Sequence, residues 1–250
     1  MIQKLSPRPV IYVLAGVNGA GKSSIGGHLL TRSGLTWFNP DQFARELLAA
    51  TGCDQTAANA AAWGEGMRRL DEAVSARRSF AFETTLGGHS VAARLKAAAR
   101  THDVLMWFCG LASPELHIAR VQARVAAGGH AIPEPKIRER WTASIAHLIA
   151  LLPRAAQVRL FDNSATAAPG QPIADPLPVG VFQKGRLVWP AAHDAARLAR
   201  TPAWARPVLE AGLGSVISGW PDCTETTRTV PSEEPAARAW PSGEKATVLT

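Results

Sequence analysis

Short apolar runs of strand length, at residues 10–15, 35–38, 79–83, 104–110 and 158–161, alternate with longer amphipathic stretches over the N-terminal part of the chain. The intervening stretches, at 22–31, 40–50, 60–77, 90–100 and 114–127, are rich in Ala, Leu, Arg and Glu, residues that lose little on entering a helix. In the segment that begins at Glu134, the residues Ile137, Trp141, Ile145, Leu148 and Leu152 recur at three- and four-residue steps. They form one apolar stripe, with Arg138 and His147 assigned to the opposite face. Strand and helix in alternation predict an α/β fold, a parallel sheet flanked by helices.

After residue 162 the rhythm changes. Residues 165–177 are rich in Ala and Pro, and the runs 179–182 and 186–188 flank Gln183-Lys184-Gly185 as a hairpin would. This predicts a small C-terminal hairpin added at the edge of the sheet, followed by closing helices at 194–200 and 204–213. Residues 221–250 are rich in Pro, Ser, Thr and Glu and carry more acids than bases, the composition of a disordered tail. The expected division is a domain of residues 1–213 and a low-complexity tail of 214–250.

Composition bounds the function classes without choosing among them. A chain of 250 residues that is 46% hydrophobic can bury a sizeable core. A net charge of +7 favours an anionic partner, whether nucleotide, nucleic acid or phosphorylated metabolite. Three widely spaced cysteines, Cys53, Cys109 and Cys223, with no CxxC pair, give neither a disulfide framework nor a zinc signature and suit a reducing cytoplasm. No apolar stretch reaches the roughly 18 residues of a membrane span, and the run at 10–15 is too short for a signal-peptide core. The expectation is a cytoplasmic protein with no membrane partner.

The strongest chemical signal is Gly16-Val17-Asn18-Gly19-Ala20-Gly21-Lys22-Ser23, which satisfies GxxxxGK[ST] between a predicted strand and a predicted helix. Glycines let successive backbone N–H groups converge on phosphate oxygens at a helix N-terminus. Lys22 then reaches the β- and γ-phosphates and the Ser23 hydroxyl ligates Mg²⁺. Gly16, Asn18, Gly19, Ala20, Gly21, Lys22, Ser23 and Ser24 are the candidate ATP-binding residues. A guanine-specific GTPase needs an NKxD-like element, a transporter ATPase an LSGGQ-like signature, and a motor ATPase a strand ending in paired acids. None is present, since the run 104–110 ends in Cys109 and Gly110. Small-molecule phosphotransfer is the leading class.

In a parallel sheet, ligands gather beyond the carboxyl ends of the strands. Two acids stand at such ends, Asp41 after Trp37-Phe38-Asn39-Pro40 and Glu83 after Phe80-Ala81-Phe82. A carboxylate aimed at an acceptor hydroxyl can take its proton, which makes Asp41 the candidate base; an Asp opening a helix is equally an N-cap. Glu83 needs a partner, because an unpaired carboxylate at a buried strand end is costly. That partner is Mg²⁺ through water, a substrate hydroxyl or an arginine. Thr85 either donates to substrate or caps the turn before Gly87-Gly88.

Arg120 and Arg124 lie four apart on a helix, and Gly128-Gly129-His130 and Pro133 interrupt the chain before Arg138 and Arg140. Clustered cations and loop glycines suit a lid that excludes water and neutralises phosphate charge, with Arg120, Arg124 and Arg138 as its cations. His130 touches phosphate or caps. Eight tryptophans invite stacking on nucleic acid, but Trp37, Trp107 and Trp141 fall at core-like positions and the aromatics are not interleaved with Lys and Arg. A nucleic-acid partner is disfavoured.

The segments GVNGAGKSS, WFNPDQFAREL, FAFETTL, RVAAGGHAIPEPKIRERW and VRLFDNS, spread over about residues 8–164, resemble the zeta-toxin-like P-loop kinases. The cradle alone is generic, whereas NPD after the second strand, ETT after the third and the GGH lid together are fairly specific. The resemblance implies a nucleotide-kinase-like core of strand order 2-3-1-4-5, ATP and Mg²⁺ as cosubstrates, and phosphorylation of a sugar hydroxyl of UDP-N-acetylglucosamine. It makes Asp41 the base, gives Glu83 and Thr85 the acceptor, with Arg45 and His130 beside them, sets Asn163 near the adenine, and brings an antitoxin protein as a partner. The alternatives are a kinase of a nucleoside, dinucleotide or polynucleotide 5′-hydroxyl, or a nucleic-acid-binding protein switched by ATP.

Overall fold

The computed structural model describes residues 8–22, 36–166 and 175–214. Six strands form one sheet: β1 (Val10–Ala15), β2 (Phe80–Thr84), β3 (Asp103–Gly110), β4 (Gln157–Asp162), β5 (Leu177–Gln183) and β6 (Arg186–Trp189). Their order is β2-β1-β3-β4-β5-β6. The first four are parallel, while β5 runs antiparallel to β4 and β6 antiparallel to β5. The hairpin expected at the edge is therefore present.

The described residues of the run at 35–38 contribute only a parallel bridge between Phe38 and Phe82, beyond β2. Phe38 N–H donates to the Ala81 carbonyl at 2.8 Å, and Glu83 N–H donates to the Phe38 carbonyl at 2.9 Å. Pairing stops there because Asn39 caps a helix and Pro40 has no N–H to continue a ladder. The order 2-3-1-4-5 survives, with its second strand shrunk to a bridge.

The helices are α1 (Pro40–Thr51), α2 (Gln55–Ser75), α3 (His89–Ala98), α4 (Pro114–Ala126), α5 (Glu134–Leu151), α6 (Ala195–Ala199) and α7 (Arg206–Leu213). α2 starts five residues ahead of the expected position because the Asp54 carboxylate accepts from Ala57 N–H at 2.8 Å. The expected helix at 22–31 lies outside the described residues apart from its first position, as does the tail from 215 onward.

Alternation along β1 buries both faces. Ile11, Val13 and Ala15 join Phe82, Met106, Phe108 and Leu160 beneath Leu70, Leu95, Leu148 and Leu209 of the helices. Tyr12, Leu14, Ala81 and Trp107 form a second cluster on the opposite face. Strands buried on both sides read as continuous apolar runs, which is why they were legible. Trp107 is buried, and Trp37 and Trp141 are half-buried against these clusters. His147 is not on the outer face of α5: it is buried, with Nδ1 at 2.8 Å from the Leu86 carbonyl and Nε2 at 3.0 Å from His89 Nδ1. Among the described residues, no helix is long and apolar enough to cross a membrane.

Candidate active site

β1 delivers the chain into the glycine loop at the carboxyl edge of the sheet. Gly16 has φ +144°, and a Cβ there would strike the Cys109 carbonyl at the end of β3. Gly21, at φ +83°, presses on the Asn163 side chain. Only glycine allows both approaches, so the loop is clamped between the ends of β3 and β4. Asn163 is buried, donates through Nδ2 to the Ala20 carbonyl at 2.9 Å, and through its backbone N–H to the Gly110 carbonyl at 3.0 Å. Its amide nitrogen braces the cradle. Ser23 and Ser24 lie outside the described residues.

His117 of α4 supports the loop from the other side, with Nδ1 at 2.8 Å from the Asn18 carbonyl. Burial, reinforced by the charges of Lys22 and Arg120, holds its pKa down at about 4, against an ordinary 6.5. The fold therefore requires neutral imidazole. Stability is fully present above about pH 6.5 and is lost as pH falls toward 4, because the unfolded chain binds a proton the native state refuses. A urea-unfolding series across this window should show the decline, on the order of 3 kcal/mol for His117. A His117→Gln variant should show a smaller pH dependence there.

Lys22 and Glu83 meet at the floor of the cleft, Nζ to Oε1 at 3.5 Å, with side chains only 8% and 7% exposed. Lys22 Nζ also donates to the Val17 carbonyl at 3.4 Å. The other Glu83 oxygen accepts from Asn39 Nδ2 at 3.1 Å. Asn39 is the α1 cap, its Oδ1 accepting from the N–H groups of Asp41 and Gln42 at 2.9 and 3.1 Å. One side chain thus starts the helix and orients the buried acid. Asp41 is relieved of capping, and its carboxylate projects into the cleft, 45% exposed and 3.8 Å from Arg124 Nη1.

The cleft, of about 280 Å³, brings together Asn18, Lys22, Asp41, Glu83, Thr85 and His130 among the expected residues. Thr85 Oγ1 also accepts from Gly87 N–H at 3.4 Å. Arg45 is exposed on α1 and does not line the cleft. Arg120 packs beside Gly19 and donates to the Ala165 carbonyl at 2.9 Å, over the loop and outside the cleft. Arg138 is not brought into the cleft: it pairs with Glu115 at 2.6 Å, both side chains exposed. Arg140 lines the cleft instead, donating to Asn18 Oδ1 at 2.7 Å. Two residues along α5 are about 200° apart, and Arg140 shares the packed stripe of Ile137, Ser144, Leu148 and Leu151. Burial pushes its pKa down, opposed by Asp41 and Glu139, yet an arginine stays charged.

The donor set suits a magnesium ion held chiefly by phosphates. Among the described residues no cluster of three His, Cys, Asp or Glu side chains could hold a metal alone. Mg²⁺ ordinarily takes one or two protein oxygens beside phosphates and waters, and Glu83 is a buried carboxylate beside the cradle. Cys109, at the strand end where motor ATPases carry an acid, is a buried thiol pushed up to about 12 by burial and is inert.

The sheet order, the glycine cradle and its lysine define a P-loop domain of kinase-like α/β fold. The chain belongs to the AAA domain family, which matches residues 11–148. An uncharacterized protein of Haemophilus influenzae is 34% identical over 70 residues, 28% of this chain; the match spans half the length of that curated relative. The solved structure of AvrRxo1-ORF1:-ORF2 with ATP is similar at a TM-score of 0.54 and 17% identity, over 79% of this chain and 65% of that one. A structure from the PezAT chromosomal toxin-antitoxin system of Streptococcus pneumoniae is similar at a TM-score of 0.47 and 16% identity, over 64% of this chain and 69% of that one. The fold agrees with the resemblance to zeta-toxin-like kinases read from the sequence.

Proposed function

We propose that the protein is an ATP-dependent kinase that transfers the γ-phosphoryl group to an alcohol hydroxyl of a small molecule held in this cleft, with Mg²⁺ as cosubstrate ion. The observation that carries the reading is the convergence of the buried Lys22–Glu83 pair with Asp41 and two arginines at one end of the sheet. Lys22 and the loop amides bind the phosphates. Arg124 keeps Nε and Nη2 buried and without an acceptor, donors suited to phosphate oxygens. Asp41 takes the acceptor's proton as its oxygen attacks phosphorus, and Glu83 and Thr85 orient the acceptor. When bound, Mg²⁺ neutralises charge developing on the β- and γ-oxygens. The ATP bound in the AvrRxo1 structure supports ATP as donor.

The resemblance makes UDP-N-acetylglucosamine the first acceptor to try, and an antitoxin-type protein the first partner to seek, in a cytoplasmic setting. Incubation with γ-labelled ATP, Mg²⁺ and UDP-N-acetylglucosamine should move label to the sugar nucleotide. Absence of both transfer and magnesium-dependent ATP binding overturns the reading. Arg140→Ala should slow transfer by about a hundredfold, the cost of losing a donor aimed at transition-state charge. Arg138→Ala should leave it within about twofold, because an exposed ion pair contributes little.

A further inference from the structure

Beyond the parallel strands, β5, β6 and the helices after them form an addition to the P-loop core. One side chain of that addition reaches the nucleotide end of the sheet. Trp204, on a single 3₁₀ turn at Ala203–Ala205, is buried, and its ring fills the space a Cβ would need at Gly110, the last residue of β3. Its Nε1–H donates to Asp162 Oδ2 at 2.6 Å. Asp162 closes β4 at the carboxyl edge, where an acid commonly meets substrate or metal. Here the protein itself supplies the donors. Besides the indole, Oδ1 accepts from Ser164 N–H at 2.9 Å and Oδ2 from Ser164 Oγ at 3.0 Å. Ser164 Oγ accepts in turn from Ala112 N–H at 2.8 Å. Between these two fastened residues stands Asn163, whose amide holds the Ala20 carbonyl of the glycine loop.

We propose that Trp204 is a positioning residue for the triphosphate: by fastening Asp162 it fixes the turn that carries Asn163, and Asn163 holds the glycine loop in the shape that binds phosphate. The inference rests on the kinase reading above and extends the nucleotide site to the C-terminal addition. A bond from an indole N–H to a carboxylate is charge-assisted and roughly twice as strong as a neutral one. Without it the buried acid would be left poorly satisfied, which is costly. Loop amides must converge on phosphate oxygens, so a small shift of their brace is felt as lost binding. Gly110, Asp162, Asn163 and Trp204 do not line the cleft, so the effect falls on phosphate binding.

The test uses the full chain with Mg²⁺ and measures, by calorimetry, binding of a non-hydrolysable ATP analogue and of inorganic tripolyphosphate, alongside the urea midpoint. Trp204→Phe keeps an aromatic ring and loses the N–H; it should weaken both ligands about tenfold. Val208→Ala, a packing loss at a buried position of α7, should lower the urea midpoint and leave both affinities native. That contrast separates positioning from a merely structural role. In an Asn163→Ala background, Trp204→Phe should add no further weakening, because the two act in series. Ser164→Ala removes a donor from the other side of Asp162 and should weaken both ligands severalfold, which covers the case in which Trp204→Phe does not fold. Native affinities in Trp204→Phe, or in Ser164→Ala should Trp204→Phe not fold, overturn the inference. So does an equal loss in Val208→Ala, full additivity with Asn163→Ala, or a loss confined to the ATP analogue, which would place the effect on the adenine. Failure of wild type to bind the ATP analogue would instead sink the kinase reading, so the two failures are distinguishable.

Discussion

Lys22→Ala is expected to abolish phosphoryl transfer, lowering kcat/KM by at least about a thousandfold, and also to destabilise the fold. The first effect follows from removing the one side-chain cation of the cradle, whose field acts in a water-poor cleft on charge that grows toward the transition state. The second follows from burial. Glu83 is 7% exposed on its side chain and keeps its bond from Asn39, but loses the ammonium 3.5 Å away. Stripping one partner from a buried ion pair costs roughly 3–5 kcal/mol, because the remaining charge stays desolvated. The double variant Lys22→Ala/Glu83→Gln separates the two. It should recover much of the urea midpoint, since the buried carboxylate that lost its ammonium is replaced by a neutral amide, and none of the activity. A single variant that transfers phosphoryl at the native rate would remove Lys22 from the mechanism.

How much of this was legible in the sequence depended on how local each cause was. The strands were readable because burial on both faces makes each a continuous apolar run, and the cradle because its glycines answer to steric demands within a few residues. The reduction of the second strand to a bridge depended on Asn39 and Pro40, which sit just after the run and act on the chain behind them. Asn39 itself was overlooked. As a helix cap it was readable from Asn-Pro-Asp, but its bond to Glu83 joins residues 44 apart and appears only when β2 lies beside it.

The contrast in placement between Arg138 and Arg140 has a different origin. Both belong to the same basic segment, and only the phase of α5 against the sheet separates them. Ile137, Trp141 and Ile145 mark an apolar stripe, but the buried stripe also includes Ser144 and His147, polar residues that hydropathy counts as outward. His147 is tolerated inside because its Nδ1 meets the Leu86 carbonyl. Arg140 is tolerated because Asn18 accepts its hydrogen bond. Buried polar groups of this kind are readable once their partners are known, and both partners come from distant parts of the chain.

Asp41→Asn should reduce the transfer rate by about a hundredfold to ten-thousandfold while leaving ATP affinity and stability near native values. The separation is possible because capping of α1 belongs to Asn39, so replacing Asp41 removes no cap bond. The side chain is 45% exposed, and its contact with Arg124, at 3.8 Å, is a surface-type pair worth under about 1 kcal/mol. The amide keeps the shape and can hydrogen-bond the acceptor hydroxyl, but it cannot accept a proton. The loss should therefore appear in kcat, with the acceptor KM changed little. Asn39→Ala makes the contrasting case: it removes the cap, at about 1 kcal/mol, and takes away the hydrogen bond that Glu83 accepts from Asn39. It should lower stability and raise the acceptor KM together. An Asp41→Asn enzyme that turns over at the native rate would show that proton removal is left to water or to the phosphoryl group itself. Asp41 would then be only a charge that holds Arg124 in place.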